Sequence, residues 1–395
     1  MKNTPQRFLF ACVVCILLFI SCYAKAETSL DPLLAPYLTR YHLPSIAAAV
    51  VKDGRVISAG AVGTRRAGEM IPVAIHDRYH LGSDTKAMTA LLAAMLVDEG
   101  KLRWDTTPAE VFPELAEKMN PAFGRITLEQ LLSHTSGIPS DNEEIVNLYL
   151  EGMTQDGNLD ELRYWLVQQW CQRPLAFPSG TKFAYSNLGF TIVGAMIERT
   201  AKKTWDEQIR ERIFIPMKLK TAGLGPQSSL GKIDAPLGHT RVHGQTKAFL
   251  AGPNSDVPSI LGPAGIAHMS ILDFGRWAGW NAGEGKRGPP LVIPKTLHKL
   301  HKPVIGIPAR KDAAPGTPLS GGYALGWGEL TVDWAPYPLI YHGGSNGKNL
   351  AHIWLDPQRD LAFVTATNIG GQEAEEALFA LAGELYRTFT KKQRQ

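Results

Sequence analysis

The stretch Leu81-Gly82-Ser83-Asp84-Thr85-Lys86-Ala87-Met88-Thr89-Ala90-Leu91-Leu92-Ala93-Ala94-Met95-Leu96 puts a serine and a lysine at the mouth of a long apolar helix. Met88, Leu91, Leu92, Met95 and Leu96 recur at helical spacing, and Gly100-Lys101 supplies the stop. In a helical turn, residues i and i+3 share a face, so the Lys86 amine can meet the Ser83 hydroxyl. The positive end of the helix dipole favours a developing alkoxide at the same place. Serine is a weak nucleophile until an adjacent base takes its proton, and this spacing delivers one. The bland alternative is a serine near a helix cap. Ser179–Lys182, Ser229–Lys232 and Ser345–Lys348 spell the same Ser-x-x-Lys pattern. Each has a glycine between its ends and no helical period after it, so context singles out Ser83.

Outward from that helix, Leu30 to Tyr41 reads as a short amphipathic helix. Ser45–Val51 and Arg55–Val62 read as strands split by the hairpin signal Lys52-Asp53-Gly54. Helical periods and loops dominate the middle to about residue 285, as in Leu128–Leu132, Leu159–Trp170 and Leu188–Thr200. Strand-like runs return at Tyr323–Leu330, Leu339–His342, Ala351–Leu355 and Leu361–Thr367, and a helical stretch from Glu373 to Phe389 follows. Strands at both ends predict one sheet built from both termini, an α/β (α+β) fold of a mainly antiparallel sheet flanked by helices. Residues 27–82 and 286–395 form its sheet part and 83–285 a mostly helical insertion, with the active site at their junction.

Composition bounds the function. With 44% hydrophobic and 20% charged residues in 395, the chain is ordinary globular protein with ample material for a core. Lys2 and Arg7, the uncharged run Phe8–Ile20 and Ala24-Lys25-Ala26 have the grammar of a secretory signal peptide over residues 1–26, too short to span a bilayer. A lipoprotein signal ending at Cys22 is the competing reading, poorly matched by Phe19-Ile20-Ser21. Cleavage removes three of the 41 basic residues and none of the 37 acidic ones, leaving a net charge of +1. That near-neutral value argues against a nucleic-acid partner. Only Cys171 of the four cysteines stays, so the exported, periplasmic chain is expected to carry neither an intrachain disulfide nor a thiolate zinc site.

Two further segments complete a constellation. Tyr185-Ser186-Asn187 follows the turn Pro178-Ser179-Gly180 and precedes a helix. A tyrosine held near a lysine loses its proton more easily and can act as general base, and the asparagine amide can hold a substrate. His342-Gly343-Gly344-Ser345 follows a strand-like run, where glycines let a substrate backbone lie along the edge. A backbone N–H near Ser345 would pair with that of Ser83 as an oxyanion hole. The structural alternatives are a turn tyrosine with a capping asparagine, and a glycine-rich hairpin turn.

Together, Ser83-x-x-Lys86, Tyr185-x-Asn187 and His342-Gly343-Gly344 resemble the three motifs of the penicillin-recognising serine hydrolases, specifically the class C β-lactamase-related family of β-lactamases, D-Ala-D-Ala carboxypeptidases, D-amino-acid peptidases and esterases. The resemblance runs from about Leu33 to near the C-terminus. It includes Leu131–Pro139 with its His134-Thr135-Ser136-Gly137, Pro263-Ala264-Gly265 and Tyr323–Gly328. It implies the β-lactamase/transpeptidase-like fold, Ser83 as nucleophile, Lys86 as the amine that activates it and Tyr185 as proton shuttle. It further implies that Asn187 orients substrate, that His342 sits beside the cleft, and that the N–H groups of Ser83 and Ser345 hold the oxyanion. The substrate would be a small molecule or peptidoglycan-type compound, with no cofactor and no metal.

The third motif departs from the pattern. True class C β-lactamases carry Lys-Thr-Gly there, and no Lys-Thr-Gly or Lys-Ser-Gly occurs in this chain. An ammonium and a hydroxyl suited to a substrate carboxylate give way to an imidazole, mostly neutral near pH 7, and a bare glycine. An esterase, or a peptidase of unusual specificity, fits this better than an efficient lactamase. Lys348 either supplies charge nearby or is a solvated loop lysine, the reading preferred here.

Rival matches are weaker. Ser140-Asp141-Asn142 spells the second motif of class A β-lactamases but sits in an acidic loop without the matching third motif, and is read as coincidence. Gly343–Gly347 spells the Gly-x-Ser-x-Gly elbow around Ser345, yet only His352 follows it. His239-x3-His243 and His298-x2-His301 have ligand spacing without a supporting acidic cluster. From another class, the chain could be a non-catalytic cell-wall or penicillin-binding protein on the same scaffold. The presence of Ser83, Lys86 and Tyr185 together argues for chemistry.

Overall fold

Asp53 and Gly54 both take positive φ (51° and 72°), the backbone of a two-residue hairpin turn whose twist matches its strands. They join strands Ser45–Lys52 and Arg55–Gly63. The computed structural model describes residues 28–252, 255–309, 314–317 and 319–391. The expected signal peptide and its three cysteines lie outside these residues.

The hairpin pairs directly with the C-terminal part of the chain. Ser45–Lys52 runs antiparallel to Leu361–Thr367, with Ala47 opposite Ala366. Beyond it lie, in order, Leu350–Asp356, Leu339–Ser345, Gly328–Leu330, Gly321–Tyr323 and Ile305–Ile307. Thr28–Ser29, parallel to Arg55–Gly63, caps the other edge of this nine-stranded, otherwise antiparallel sheet. The fold is thus a mainly antiparallel sheet flanked by helices, built from both termini.

Leu350–Asp356 and Leu361–Thr367 are buried at every position, because both faces of the sheet are covered. On one face lie helices Asp31–Arg40 and Gln372–Lys391, over Ile46, Ala48, Val50, Trp354 and Phe363. On the other, helix Ile271–Ala282 lies over Ala47, Ala49 and Val51. Gly275 and Gly279 let it approach: a Cβ on Gly279 would come within 2.5 Å of Val51 Cγ1. Close packing of this kind explains why the strand is alanine-rich.

Helix Thr85–Asp98 is buried from Thr85 to Leu96, so its apolar residues surround the whole circumference. Leu128–Leu132, Leu159–Trp170 and Asn187–Ala201 form as helices close to the expected limits. Three readings need correction. The stretch 223–270, expected within the mostly helical part, contains a hairpin, Gly238–Val242 with Gln245–Phe249, and the strand Ala267–Ser270 paired with Arg78–His80 and Gly223–Leu224. The consecutive polar residues His239-Thr240-Arg241 and Gln245-Thr246-Lys247 leave no apolar period of two to read. The run Tyr323–Leu330 is two short strands broken at Gly326 (φ 77°), where a Cβ would meet the Lys86 carbonyl at 2.9 Å. Gly343 and Gly344 are strand residues rather than a turn, since Leu339–Ser345 pairs through to Ser345–Leu350.

Candidate active site

Ser83 sits in a single 3-10 turn, Gly82–Asp84, that feeds the Thr85–Asp98 helix. The turn is pinned on every side. Gly82 N–H donates to His80 Nδ1 at 3.0 Å. Thr85 Oγ1 donates to the Gly82 carbonyl at 2.7 Å and accepts from Ala267 N–H at 3.0 Å. Gly82 has φ +50°, and a Cβ there would lie 2.3 Å from Ser345 N. A Cβ on Gly344 would lie 1.9 Å from the Leu81 carbonyl oxygen and 2.6 Å from Ser83 N. The third-motif strand therefore lies backbone to backbone against the nucleophile turn, which brings the amide nitrogens of Ser83 and Ser345 to one place.

Lys86 is fully buried one turn beyond the serine. Its Nζ donates to Asn187 Oδ1 and to the Ala264 carbonyl, both at 2.7 Å, and lies 2.9 Å from Ser83 Oγ. A neutral amine has two hydrogens and one lone pair. Two acceptors that cannot donate take both hydrogens, and the lone pair is left for the Ser83 hydroxyl proton. Burial lowers the Lys86 pKa from 10.5 to about 7, with Asp141 and Asp84 pulling it partly back up.

Tyr185 and Asn187 are set by the Leu131–Pro139 loop. His134, in the left-handed region at φ 58°, accepts from Ser186 N–H through Nδ1 at 3.1 Å and takes Ala184 N–H on its carbonyl at 2.8 Å. Ser186 then caps the Asn187–Ala201 helix by accepting from Gly189 N–H at 3.1 Å. Tyr185 packs on the His134 ring at 4.3 Å between centroids, and Lys86 Nζ sits 4.7 Å from the Tyr185 ring centroid. The phenol is buried, and its oxygen has no partner at hydrogen-bond geometry. Burial pushes its pKa up, while the nearby Ser83 hydroxyl lowers it part of the way. Burial thus opposes loss of the phenol proton, against the expectation that a neighbouring lysine eases it.

His342 lies beside the Ser83–Asp84 turn with its ring turned inward. It is buried, with Nε2 3.1 Å from Tyr323 Oη, and Nδ1 2.8 Å from the Gly343 carbonyl and 3.4 Å from Asp84 Oδ1. Burial pushes its pKa down to about 3, so the ring is neutral. The segment Ser140-Asp141-Asn142, read from sequence as a coincidental match, brings its aspartate to the site. Asp141 Oδ2 accepts from Asn187 Nδ2 at 2.7 Å and Oδ1 from Tyr149 Oη at 3.1 Å. Asn142 faces elsewhere and caps the helix Glu143–Gly152 through Ile145 N–H. The class A motif is spelled but not used as such; its aspartate serves the site by another route.

The competing residues are otherwise engaged. Ser345 Oγ donates to the Asn349 carbonyl at 2.8 Å, and His352 pairs with Glu375 at 3.3 Å on the opposite face of the sheet. Ser229 Oγ donates to Asp234. Lys348 lies 5.2 Å over the Phe249 ring rather than in free solvent. His239 is buried, with Nδ1 against the Asn368 carbonyl and Nε2 accepting from Ala67 N–H. No cluster of three His, Cys, Asp or Glu suited to a metal occurs among the described residues.

Residues 30–385 match a family profile described as Beta-lactamase, and the chain belongs to that family. It is 28% identical over 335 residues to "Penicillin-binding protein 4" of Amycolatopsis lactamdurans, covering 84% of this chain and 82% of that one. It is 24% identical to "Protein flp" of Staphylococcus aureus strain MW2, covering 88% of this chain but 64% of that protein's length. Among solved structures it resembles the D-amino acid amidase of Ochrobactrum anthropi SV3, with a TM-score of 0.71 and 17% identity over 93% of this chain and 98% of that one.

Proposed function

We propose that the protein is an exported serine hydrolase that cleaves ester, amide or lactam bonds through an acyl-enzyme on Ser83. The reading rests above all on Lys86: both hydrogens of its neutral amine are committed to Asn187 Oδ1 and the Ala264 carbonyl, which aims its lone pair at Ser83 Oγ, 2.9 Å away. A base with a pKa near the working pH is the effective one.

In this scheme Ser83 Oγ attacks the substrate carbonyl carbon while its proton passes to Lys86 Nζ. The carbonyl oxygen becomes an oxyanion between the Ser83 and Ser345 N–H groups. The leaving group departs with a proton from Tyr185 Oη, which Lys86 replaces. Water attacks the acyl carbon, gives its proton back through Lys86, and releases the carboxylic acid and free Ser83. Tyr185 thus works as a donor, in keeping with its raised pKa. Asn187 holds the lysine, and Asp141 holds Asn187.

The names of the relatives point to cell-wall and amide chemistry, and the absent Lys-Thr-Gly favours an esterase or amidase over a lactamase. The leader-like sequence at residues 1–26 supports a periplasmic location, where peptidoglycan-type or small-molecule substrates are met. The test is turnover of an aryl ester, a D-Ala-D-Ala peptide and a cephalosporin by wild type, Ser83→Ala and Ser345→Ala. Loss with the first substitution and retention with the second is expected; the reverse pattern would move the nucleophile to Ser345.

A further inference from the structure

The two amides proposed to hold the oxyanion come from distant parts of the chain. Ser83 N belongs to the Gly82–Asp84 turn, and Ser345 N to the last residue of the strand Leu339–Ser345. To stabilise one oxyanion, both must stand about 2.7–3.1 Å from the same oxygen. The close contacts of Gly82 with Ser345, and of Gly344 with Ser83, limit how near the two segments can come. A limit on how far they can part is found just outside the site, on the carboxylate of Asp256.

The Asp256 side chain is buried, and three donors converge on it. His80 Nε2 lies 3.0 Å from Oδ2, while Asn346 Nδ2 at 3.0 Å and Val257 N–H at 2.8 Å donate to Oδ1. His80 Nδ1 accepts the Gly82 N–H at 3.0 Å, which leaves the ring hydrogen on Nε2, donated to Asp256. Asn346 directly follows Ser345, and its Oδ1 accepts from Lys348 N–H at 3.2 Å and Asn349 Nδ2 at 3.1 Å. One arm from the carboxylate therefore ends on the amide before that of Ser83, and the other on the residue after Ser345. Burial works against the charge on Asp256, but His80, Asn346 and Val257 outweigh it and hold the pKa below the usual range. Hydrogen bonds to an ionised acceptor are the stronger kind.

We propose that Asp256 is a positioning residue that clamps the nucleophile turn through His80 and the third-motif strand through Asn346, so that the Ser83 and Ser345 N–H groups converge on one oxygen. This rests on the Ser83 acyl-enzyme reading. In Asp256→Asn the carboxamide oxygen serves one arm, and its NH2 group meets a donor on the other. With the NH2 group toward His80, the ring must move its hydrogen to Nδ1 to accept it, and Gly82 N–H loses its partner. With the NH2 group toward Asn346, that arm opens instead. Either way one oxyanion donor is loosened just where small displacements are costly to rate. The base is set separately: Asp141 and Asp84 are the acids that raise the Lys86 pKa.

The experiment is single-turnover acylation by an aryl ester, read in stopped flow so that the acylation rate constant and the ester dissociation constant are separated. The enzymes are wild type, Asp256→Asn, Asn346→Asp and the double variant, each checked for thermal unfolding. Asp256→Asn should slow acylation by about 10- to 100-fold, part of the roughly 10²–10³ that losing one oxyanion donor outright costs. Ester binding should stay within about threefold, and the pH midpoint of acylation, set by Lys86, should not move. Asn346→Asp sets two carboxylates face to face and should also slow acylation. The double exchange places the carboxylate at 346 and the carboxamide at 256, whose oxygen faces His80 and whose NH2 group donates across, forgoing only the Val257 bond. It should therefore acylate faster than either single variant, a coupling that two independent losses cannot give. An Asp256→Asn rate within threefold of wild type overturns the proposal. So does a loss carried by ester binding or by a moved pH midpoint, and so does a double variant that fails to exceed both singles. Mass spectrometry separates the two levels: no adduct on Ser83 in wild type overturns the acyl-enzyme reading, whereas a Ser83 adduct formed as fast in Asp256→Asn overturns the clamp alone.

Discussion

Replacing Lys86 by methionine tests the buried amine through stability as well as rate. Folding lowers the Lys86 pKa from 10.5 to about 7. Between those values the unfolded chain holds a proton that the native protein does not, so this residue makes native stability rise with pH across the window. The slope for one such group is about 1.4 kcal/mol per pH unit, and three and a half units amount to roughly 5 kcal/mol. The contribution is complete above about pH 10.5 and is lost as pH falls through 7. Urea unfolding of wild type and Lys86→Met at half-unit steps from pH 6.5 to 10 isolates it, since the other titrating groups cancel in the difference. The wild type should gain on the variant by about 1 kcal/mol per unit through the middle of the range. Activity of the variant should fall by about 10²- to 10⁴-fold throughout. A stability difference independent of pH would mean that the amine is ordinary and charged in the native state, and the lone-pair argument would fail.

Other outcomes follow from the same geometry. Because the neutral amine is the active form, kcat/KM for an aryl ester should rise tenfold per unit below pH 7 and level off above it. Asp141→Asn removes a charge that raises the Lys86 pKa, so that limb should move to lower pH; movement to higher pH would contradict the assignment. Tyr185→Phe should reduce kcat by about 10²-fold or more, and the wild type should show no loss of activity from phenol ionisation up to pH 10. Gly344→Ala forces a methyl to within 1.9 Å of the Leu81 carbonyl, costing about 1–3 kcal/mol in urea unfolding or more, whereas Gly347→Ala meets no atom within 4 Å and should cost about 1 kcal/mol through its φ of 78° alone.

The sequence was most informative where one residue type had one workable reason to be present. Asp53-Gly54 specified a hairpin, and the apolar period after Ser83 specified a helix, because local backbone preference and burial agreed. Ser83, Lys86, Tyr185 and Asn187 come together as their order and spacing implied. The rest depended on contacts between distant segments. Nothing local marks Ala264 as the acceptor of Lys86, or His134 as the left-handed residue that seats Tyr185 and Asn187. Asp141 was set aside because its neighbours spelled another family's motif, although its carboxylate reaches Asn187 from 46 positions away. His342 was placed beside the cleft by its motif. Only the packing of Asp84 and Tyr323 shows that its ring turns inward. For Tyr185, proximity to a lysine was visible, and the burial that raises its pKa was not.

The central claim is that Ser83 is acylated because a buried neutral lysine takes its proton. Brief reaction with an aryl ester or a fluorophosphonate at pH 8, followed by mass spectrometry of intact protein and its proteolytic peptides, tests it directly. One adduct on the peptide containing Ser83, nearly absent in Lys86→Met and strongly reduced at pH 5.5, is the predicted result. An adduct on Ser345, or equal labelling of Ser83 with and without the lysine, would contradict it.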